Sequence, residues 1–352
     1  DHSILSLKIL HISTVHPRLD SRIFYKQCCS LVSAGFNVSL LVADGKGQEC
    51  RDGVNIADLG KVDLRPIRIL LAPLLALVYV IRRRPDLVHL HDPELLLIGL
   101  MLRLLGVRII YDAHEDLPEQ IKRKHWIPRI LRKPISVLAK LALGIFLRGY
   151  DTVVTATDGI AVKIRHKSVV VIKNYPILLE FNHINSKCEK KAQFCYAGGI
   201  STERGAIAMI DALPEGAARL VLAGNYIDGD LPNQLEKLQN WSRVDYLGFL
   251  SREDISALYA ESIAGVVVLQ SGQGFEETLP IKLFEYMAAS LPVICSDFQI
   301  WREIVNEAQC GLVVDDADKA SIRNAYQSII SDPTEAVEMG RRGLEAVRAK
   351  YS

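Results

Sequence analysis

The chain is predicted to be an α/β protein built from two doubly wound parallel sheets, and three observations predict it. At 352 residues it is long enough for two ordinary domains. Short runs rich in β-branched residues and leucine alternate with helical stretches along its whole length, the pattern of parallel sheets covered on both faces. The alternation is interrupted over 174–192, a polar, charged stretch that carries Pro176 and reads as a linker. Domains are therefore expected over 1–180 and 181–352.

Taken in order, strands are expected at 8–13, 37–43, 87–90, 107–111, 152–155 and 169–172, with helices between them at 21–34, 93–105 and 135–147. Asp92 suits an N-cap, Pro93 the first helical position, and Gly106 the end of that helix. The second half repeats the scheme with strands at 194–196, 220–223, 244–246, 266–269, 293–295 and 311–314, and closes on a helix over 334–351. A helix opening near Pro280 presents Phe284, Met287, Ala288 and Leu291 at helical spacing, its core face. Doubly wound sheets bind ligands at the carboxyl ends of their strands.

Composition excludes several classes. Hydrophobic content of 49% and charged content of 24% are those of a globular protein. The net charge of +1 hides an asymmetry: residues 1–180 hold 26 Lys and Arg against 17 Asp and Glu, and residues 181–352 hold 16 against 24. No uniform basic balance points to nucleic acid. Seven cysteines without a C-x-x-C pair imply free thiols in a reducing compartment. The longest apolar run, 69–81, contains Pro73 and falls short of the roughly 20 residues a spanning helix needs. No G-x-G-x-x-G follows the first strand, which argues against a dinucleotide oxidoreductase. Residues 121–150 carry eight basic residues and no acid. Lys122, Arg123, Lys124, Trp126, Arg129, Arg132 and Lys133, interleaved with aliphatics, are read as a contact with an anionic membrane surface, each charge adding up to about 1 kcal/mol.

The most informative segment is 271–297, SGQGFEETLPIKLFEYMAASLPVICSD. It sets Glu277 in a loop and Glu285 inside the following helix, with seven residues between them. A helix N-terminus carries unpaired N–H groups and is a natural anion site, and carboxylates beside it can accept hydroxyl hydrogen bonds. Spacing alone also permits a plain core helix with a solvated Lys282–Glu285 pair. With this segment come HPRLDSRIF, DLVHLHDPELL, IIYDAHED, VVVIKNYP, YAGGISTERG, LVLAGN and VDYLGFLSREDISALYAES, in that order. Together they resemble the family-4 retaining glycosyltransferases of the GT-B fold, over nearly the whole chain.

The resemblance implies two Rossmann-like domains facing across a cleft, the first binding acceptor and the second a nucleotide-sugar donor. It implies catalytic roles for His114 and Glu277. It implies donor contacts from Arg204, Lys282, Glu285, Gly198, Gly199, Thr278, Leu279, Asn225 and Leu250. The family usually has an arginine where this chain has Gly199. It often has a glycine pair in the loop after the first strand, where this chain has His16, Arg18, Asp20 and Arg22; these four are acceptor-loop candidates, with Asp20 alternatively a helix cap. No metal and no cofactor beyond the nucleotide-sugar are implied. The acceptor is expected to be a glycan or polyprenyl-linked sugar in bacterial surface polysaccharide assembly. The enzyme is then cytoplasmic and peripheral at the inner face of the membrane, its last helix packing towards the first domain. The alternative is a catalytically degenerate nucleotide-sugar-binding or membrane scaffold on the same fold.

Overall fold

The structure is a computed structural model that describes the chain except for residues 1–6, 62–63, 124–126, 182–188 and 277. It divides into two compact units, Asp1–Lys173 and Asn174–Ser352. The division precedes the boundary expected after residue 180, because the turn Leu178–Phe181 belongs to the second core: Phe181 is buried there and the Glu180 backbone carbonyl accepts from Ser256 Oγ at 3.1 Å.

The first unit holds β1 (Lys8–Ile12), β2 (Asn37–Val42), β3 (Glu49–Arg51), β4 (Val54–Asp58), β5 (Leu87–Leu90), β6 (Arg108–Ala113), β7 (Thr152–Thr155) and β8 (Val169–Val171). Their order is β3-β4-β2-β1-β5-β6-β7-β8, parallel except for the β3–β4 pair. The connection from β1 to β2 runs opposite in direction to those from β4 to β5, β5 to β6 and β6 to β7. Right-handed crossovers therefore place helix Cys29–Ser33 and the π-helical turn Ser21–Cys28 on one face. Helices Arg65–Arg83, Leu96–Leu104 and Arg129–Phe146 lie on the other. Strand alternation follows suit. Leu10, Ile12, Val88, Leu90, Ile109 and Tyr111 pack beneath the three helices, and Val38, Leu40, Val54 and Ile56 pack with Ile23 and Phe24 on the opposite face.

The second unit holds β9 (Gln193–Ala197), β10 (Arg219–Ala223), β11 (Val244–Gly248), β12 (Ala264–Val267), β13 (Val293–Ser296) and β14 (Gly311–Val314), all parallel, in the order β11-β10-β9-β12-β13-β14. Both faces are sealed: β9 is buried along its whole length. Helix Pro333–Lys350 packs on helix Ile281–Ala288 within this unit. Gly340 permits the approach, since a Cβ there would stand 2.1 Å from the Ser290 carbonyl.

Candidate functional site

At the carboxyl end of the first sheet, β1, β5 and β6 deliver a polar cluster to one face. His11 pairs in register with His89. His91 lies two residues beyond His89, and so on the same side, and Asp112 is on the neighbouring β6. All four are buried. Asp112 takes a bidentate pair from Arg22, Nε to Oδ2 and Nη2 to Oδ1 both at 2.9 Å, and a 2.7 Å bond from Gln27 Nε2. Burial raises its pKa, but His91 and Arg22 beside it outweigh that and hold the carboxyl well below the usual range. His91 Nδ1 stands 3.4 Å from Asp112 Oδ2. Its Nε2 is 2.9 Å from His11 Nδ1, with ring planes 16° apart, so the two imidazoles meet edge to edge. Burial pushes His89 down to about 3 and His11 well below its ordinary value, so both are neutral. Nitrogens of His11, His89 and His91 lie within 4.8 Å of one another, the one group of three possible metal ligands among the described residues.

Above this layer, Asp92 organises the loop after β1. Its Oδ2 accepts from Thr14 N at 2.6 Å and Ser13 Oγ at 3.0 Å, and its Oδ1 lies 3.0 Å from His16 Nδ1. Burial pulls the His16 pKa down, but the Asp92 carboxylate outweighs it and the net shift is upward. His114, just past β6, meets His16 edge-on with centroids 5.0 Å apart and lies 3.2 Å from the Asp112 carbonyl. Burial, with His16 nearby, lowers its pKa.

The second sheet ends differently. Gly198 follows β9 and Gly224 follows β10, and a Cβ on Gly224 would stand 1.8 Å from the Gly198 carbonyl. Only glycine allows that approach. Gly205 has φ +74° and starts helix Ala206–Asp211, and a Cβ there would strike the Val268 carbonyl. Arg204 reaches back beside Gly199, its guanidinium 6.0 Å from the Phe275 ring centroid, and has no carboxylate partner among the described residues. Lys282 passes close to Gly198 and pairs with Glu285 Oε2 at 2.7 Å. Glu285, buried in helix Ile281–Ala288, also accepts from Tyr259 Oη at 3.2 Å.

Residues 21–174 match the family described as Glycosyltransferase Family 4, and residues 180–346 match Glycosyl transferases group 1. The chain belongs to the group 1 and family 4 glycosyltransferases. Sucrose-phosphate synthase from Thermosynechococcus elongatus is similar at a TM-score of 0.78 and 18% identity, over 98% of this chain and 95% of that one. HepE of Anabaena, in complex with UDP, has a TM-score of 0.72 and 16% identity over 98% and 96%. WaaG, a glycosyltransferase involved in lipopolysaccharide biosynthesis, has a TM-score of 0.69 and 14% identity over 98% and 97%. At these identities the likeness shows the GT-B fold. A curated relative, the chitobiosyldiphosphodolichol beta-mannosyltransferase of Arthroderma benhamiae, is 33% identical over 96 residues, which span 27% of this chain and only 21% of that protein.

In this glycosyltransferase the expected donor residues gather at one sheet end. Gly198, Gly199, Arg204, Lys282 and Glu285 adjoin. A Cβ on Gly199 would meet Ile227 at 2.6 Å, so Ile227 fills the space where the family's arginine would begin. Thr278 hydrogen-bonds backwards to Phe275 and its carbonyl accepts from Trp301 Nε1 at 2.8 Å, which fixes the turn before the helix. Leu279 and Leu250 are half-buried against the core, and Asn225 is exposed. Phe249, which could have been core, is 78% exposed. Glu277 lies outside the described residues, and its neighbour Glu276 accepts from Gly272 N.

The acceptor-loop residues require correction. Arg18 is buried in a bidentate pair with Asp44, at 2.8 and 2.6 Å, and Arg22 is committed to Asp112. Neither guanidinium is available to a phosphate. Asp20 accepts from the backbone of Arg22 and Ile23 and so caps the π-helical turn. Asp92 makes no side-chain cap; it serves the β1 loop instead. Of the basic membrane segment, Lys122 pairs with Glu119 at 2.6 Å and Arg132 Nε bonds the Ile127 carbonyl. Arg129 and Lys133 are exposed. Lys124, Trp126 and the Arg123 side chain lie outside the described residues. Among the described residues no helix is long and apolar enough to cross a membrane. Sequence reasoning missed Gln27, Tyr259 and Phe275, and read Asp92 only as a cap. Only the histidines left a signal, the His-x-His of LVHLHD at strand period.

Proposed function

We propose that this glycosyltransferase moves a hexosyl or related sugar from a UDP-sugar, with retention, to a glycan or polyprenyl-linked acceptor in surface polysaccharide assembly. The second sheet's end carries the reading. There Arg204 and Lys282 flank a backbone kept bare by Gly198 and Gly199, with Glu285 one turn into the next helix. A diphosphate lies against the backbone N–H groups and the guanidinium, whose fixed charge stabilises it as it departs. Glu285 meets the ribose hydroxyls and Glu277 the transferred sugar. The acceptor hydroxyl attacks from the side the diphosphate leaves. The anomeric C–O bond to phosphate breaks, and the hydroxyl proton passes to the leaving phosphate oxygen. Neutral His114 hydrogen-bonds near the reacting sugar. The UDP bound by the similar Anabaena HepE supports the choice of base. No residue here is assigned to a metal. The basic segment 121–150 rests on anionic lipid at the cytoplasmic face.

A thermal-shift panel of UDP, GDP, ADP and TDP without added metal tests the donor reading. Ligand at 100 times its Kd stabilises by about 2.7 kcal/mol. UDP is expected to stand out, and no shift at millimolar nucleotide sinks the donor site. Glu277→Ala is expected to abolish turnover while keeping the UDP shift. Retained activity in that variant removes Glu277 from the chemistry, and absent activity in the unmodified chain favours a scaffold.

A further inference from the structure

The first unit holds a cavity of about 270 Å³ that the donor reading leaves unused. It lies among helices Leu117–Arg123 and Arg129–Phe146 and the segment 160–165. Tyr111, Ala113, Leu143 and Leu147 give it an apolar floor. Four cations stand at its rim. Lys122 is neutralised by Glu119 and Lys163 by Asp116 at 2.9 Å, and Glu115, the remaining rim acid, accepts the Gln120 amide. Lys140 and Arg165 meet no carboxylate among the described residues. Four cations against three carboxylates leave the rim with a net positive charge, and an apolar floor beneath it suits an amphiphile with one anionic end.

The cavity also continues outward. Val137 lines it and is exposed, beside Ile130, Leu138, Leu141 and Ile145, all exposed on helix Arg129–Phe146. The other two helices on this sheet face show Leu70 72% and Leu104 82% exposed. A hydrocarbon chain leaving the cavity therefore meets apolar surface rather than water. Ala113 and Glu115, both lining residues, bracket His114.

We propose that the cavity binds the phosphate end of an isoprenyl phosphate, the lipid portion of the acceptor, with the phosphate on Lys140 and Arg165 and the first isoprene unit over Leu143 and Leu147. The inference rests on the glycosyltransferase reading with a lipid-linked acceptor. Sites that enclose a whole small molecule hold about 300–1,000 Å³. This one admits the end of a single branched chain, not the paired chains of a phospholipid.

Gly144 gives a clean test: it lines the cavity, and a Cβ there meets nothing within 4 Å. Gly144→Phe fills open space. Titrated with farnesyl phosphate in detergent, the full chain is expected to bind at least tenfold more tightly than Gly144→Phe or the double variant Lys140→Glu/Arg165→Glu. Farnesol should bind weakly, and the UDP thermal shift should be the same in all three proteins, showing that each is folded. Unchanged farnesyl phosphate binding in both variants overturns the proposal, as does equal competition by phosphatidylglycerol. A missing UDP shift in the unmodified chain would be a failure of the donor reading alone, because the farnesyl phosphate titration reports on the cavity independently.

Discussion

The two sheets end in opposite ways. In the first, charge is turned inward: Arg18 to Asp44, Arg22 to Asp112, His16 to Asp92. In the second, glycines strip the backbone bare and a guanidinium is left without an acidic partner among the described residues. The difference teaches that abundance of charge does not locate an anion site. The first 180 residues are the basic ones, yet the cations at their sheet end are consumed by structure. The available guanidinium belongs to the acidic half.

The largest effect should come from breaking an inward pair. Arg22→Ala leaves Asp112 buried with its bidentate partner gone, and losing one member of a buried pair costs about 3–5 kcal/mol. Urea unfolding of the first unit reads this directly, and a loss below 1 kcal/mol would mean that Asp112 is held by Gln27 and His91 instead. Arg204→Ala should do the reverse. Stability changes by about 0.5 kcal/mol or less, as for an ordinary surface change, while turnover falls about 10²–10³-fold, the scale of one electrostatic donor. Steady-state kinetics beside a melting curve separate the two, and a variant that unfolds instead would erase the contrast.

Acid should distinguish the units next. His11 and His89 have folded pKa values below their unfolded value of about 6.5. The unfolded chain therefore gains protons first as pH falls, and the first unit loses stability below pH 6.5. Each unmatched proton contributes about 1.4 kcal/mol per pH unit. Asp92 and Asp112, depressed below their usual range, enter only under about pH 4. His16, raised, contributes fully below 6.5 and loses its contribution as pH rises through its folded value. Unfolding midpoints from pH 8 to 4 should fall for the first unit, and His89→Phe should flatten the slope; a flat profile in the unmodified chain would put the histidines in contact with water. The smallest effect is expected from Lys122→Ala. Its exposed pair with Glu119 is worth about 0.2–0.5 kcal/mol to the helix. Its partition onto anionic vesicles should still weaken by about 1 kcal/mol, as read by co-sedimentation.

The strands were legible to within a residue or two because buried parallel strands carry dense runs of β-branched and leucine side chains. β3 and β4 were not: all three residues of β3 are exposed, and in β4 the polar Asn55 and Asp58 interrupt the apolar run. Helix Arg65–Arg83 was read only as an apolar run because Pro73 sits inside it. That the residues proposed for the donor end adjoin was legible, because Gly198, Gly199 and Arg204 are local in sequence and Lys282 and Glu285 share one helical turn. The roles of Arg18 and Arg22 were not. Their partners lie 26 and 90 residues away, and a guanidinium in a loop carries no mark of what it will meet.

Pro134 carries a last consequence. It is exposed, one turn into the stripe that runs from Ile130 to Ile145 on helix Arg129–Phe146. Lacking an amide hydrogen, it offers nothing to the carbonyl four residues back, at Ile130. In hydrocarbon an unanswered carbonyl costs several kcal/mol. The helix therefore carries its own waterline: the turn holding Ile130 stays within reach of water or headgroups, and only the turns beyond Leu138 are free to sink further.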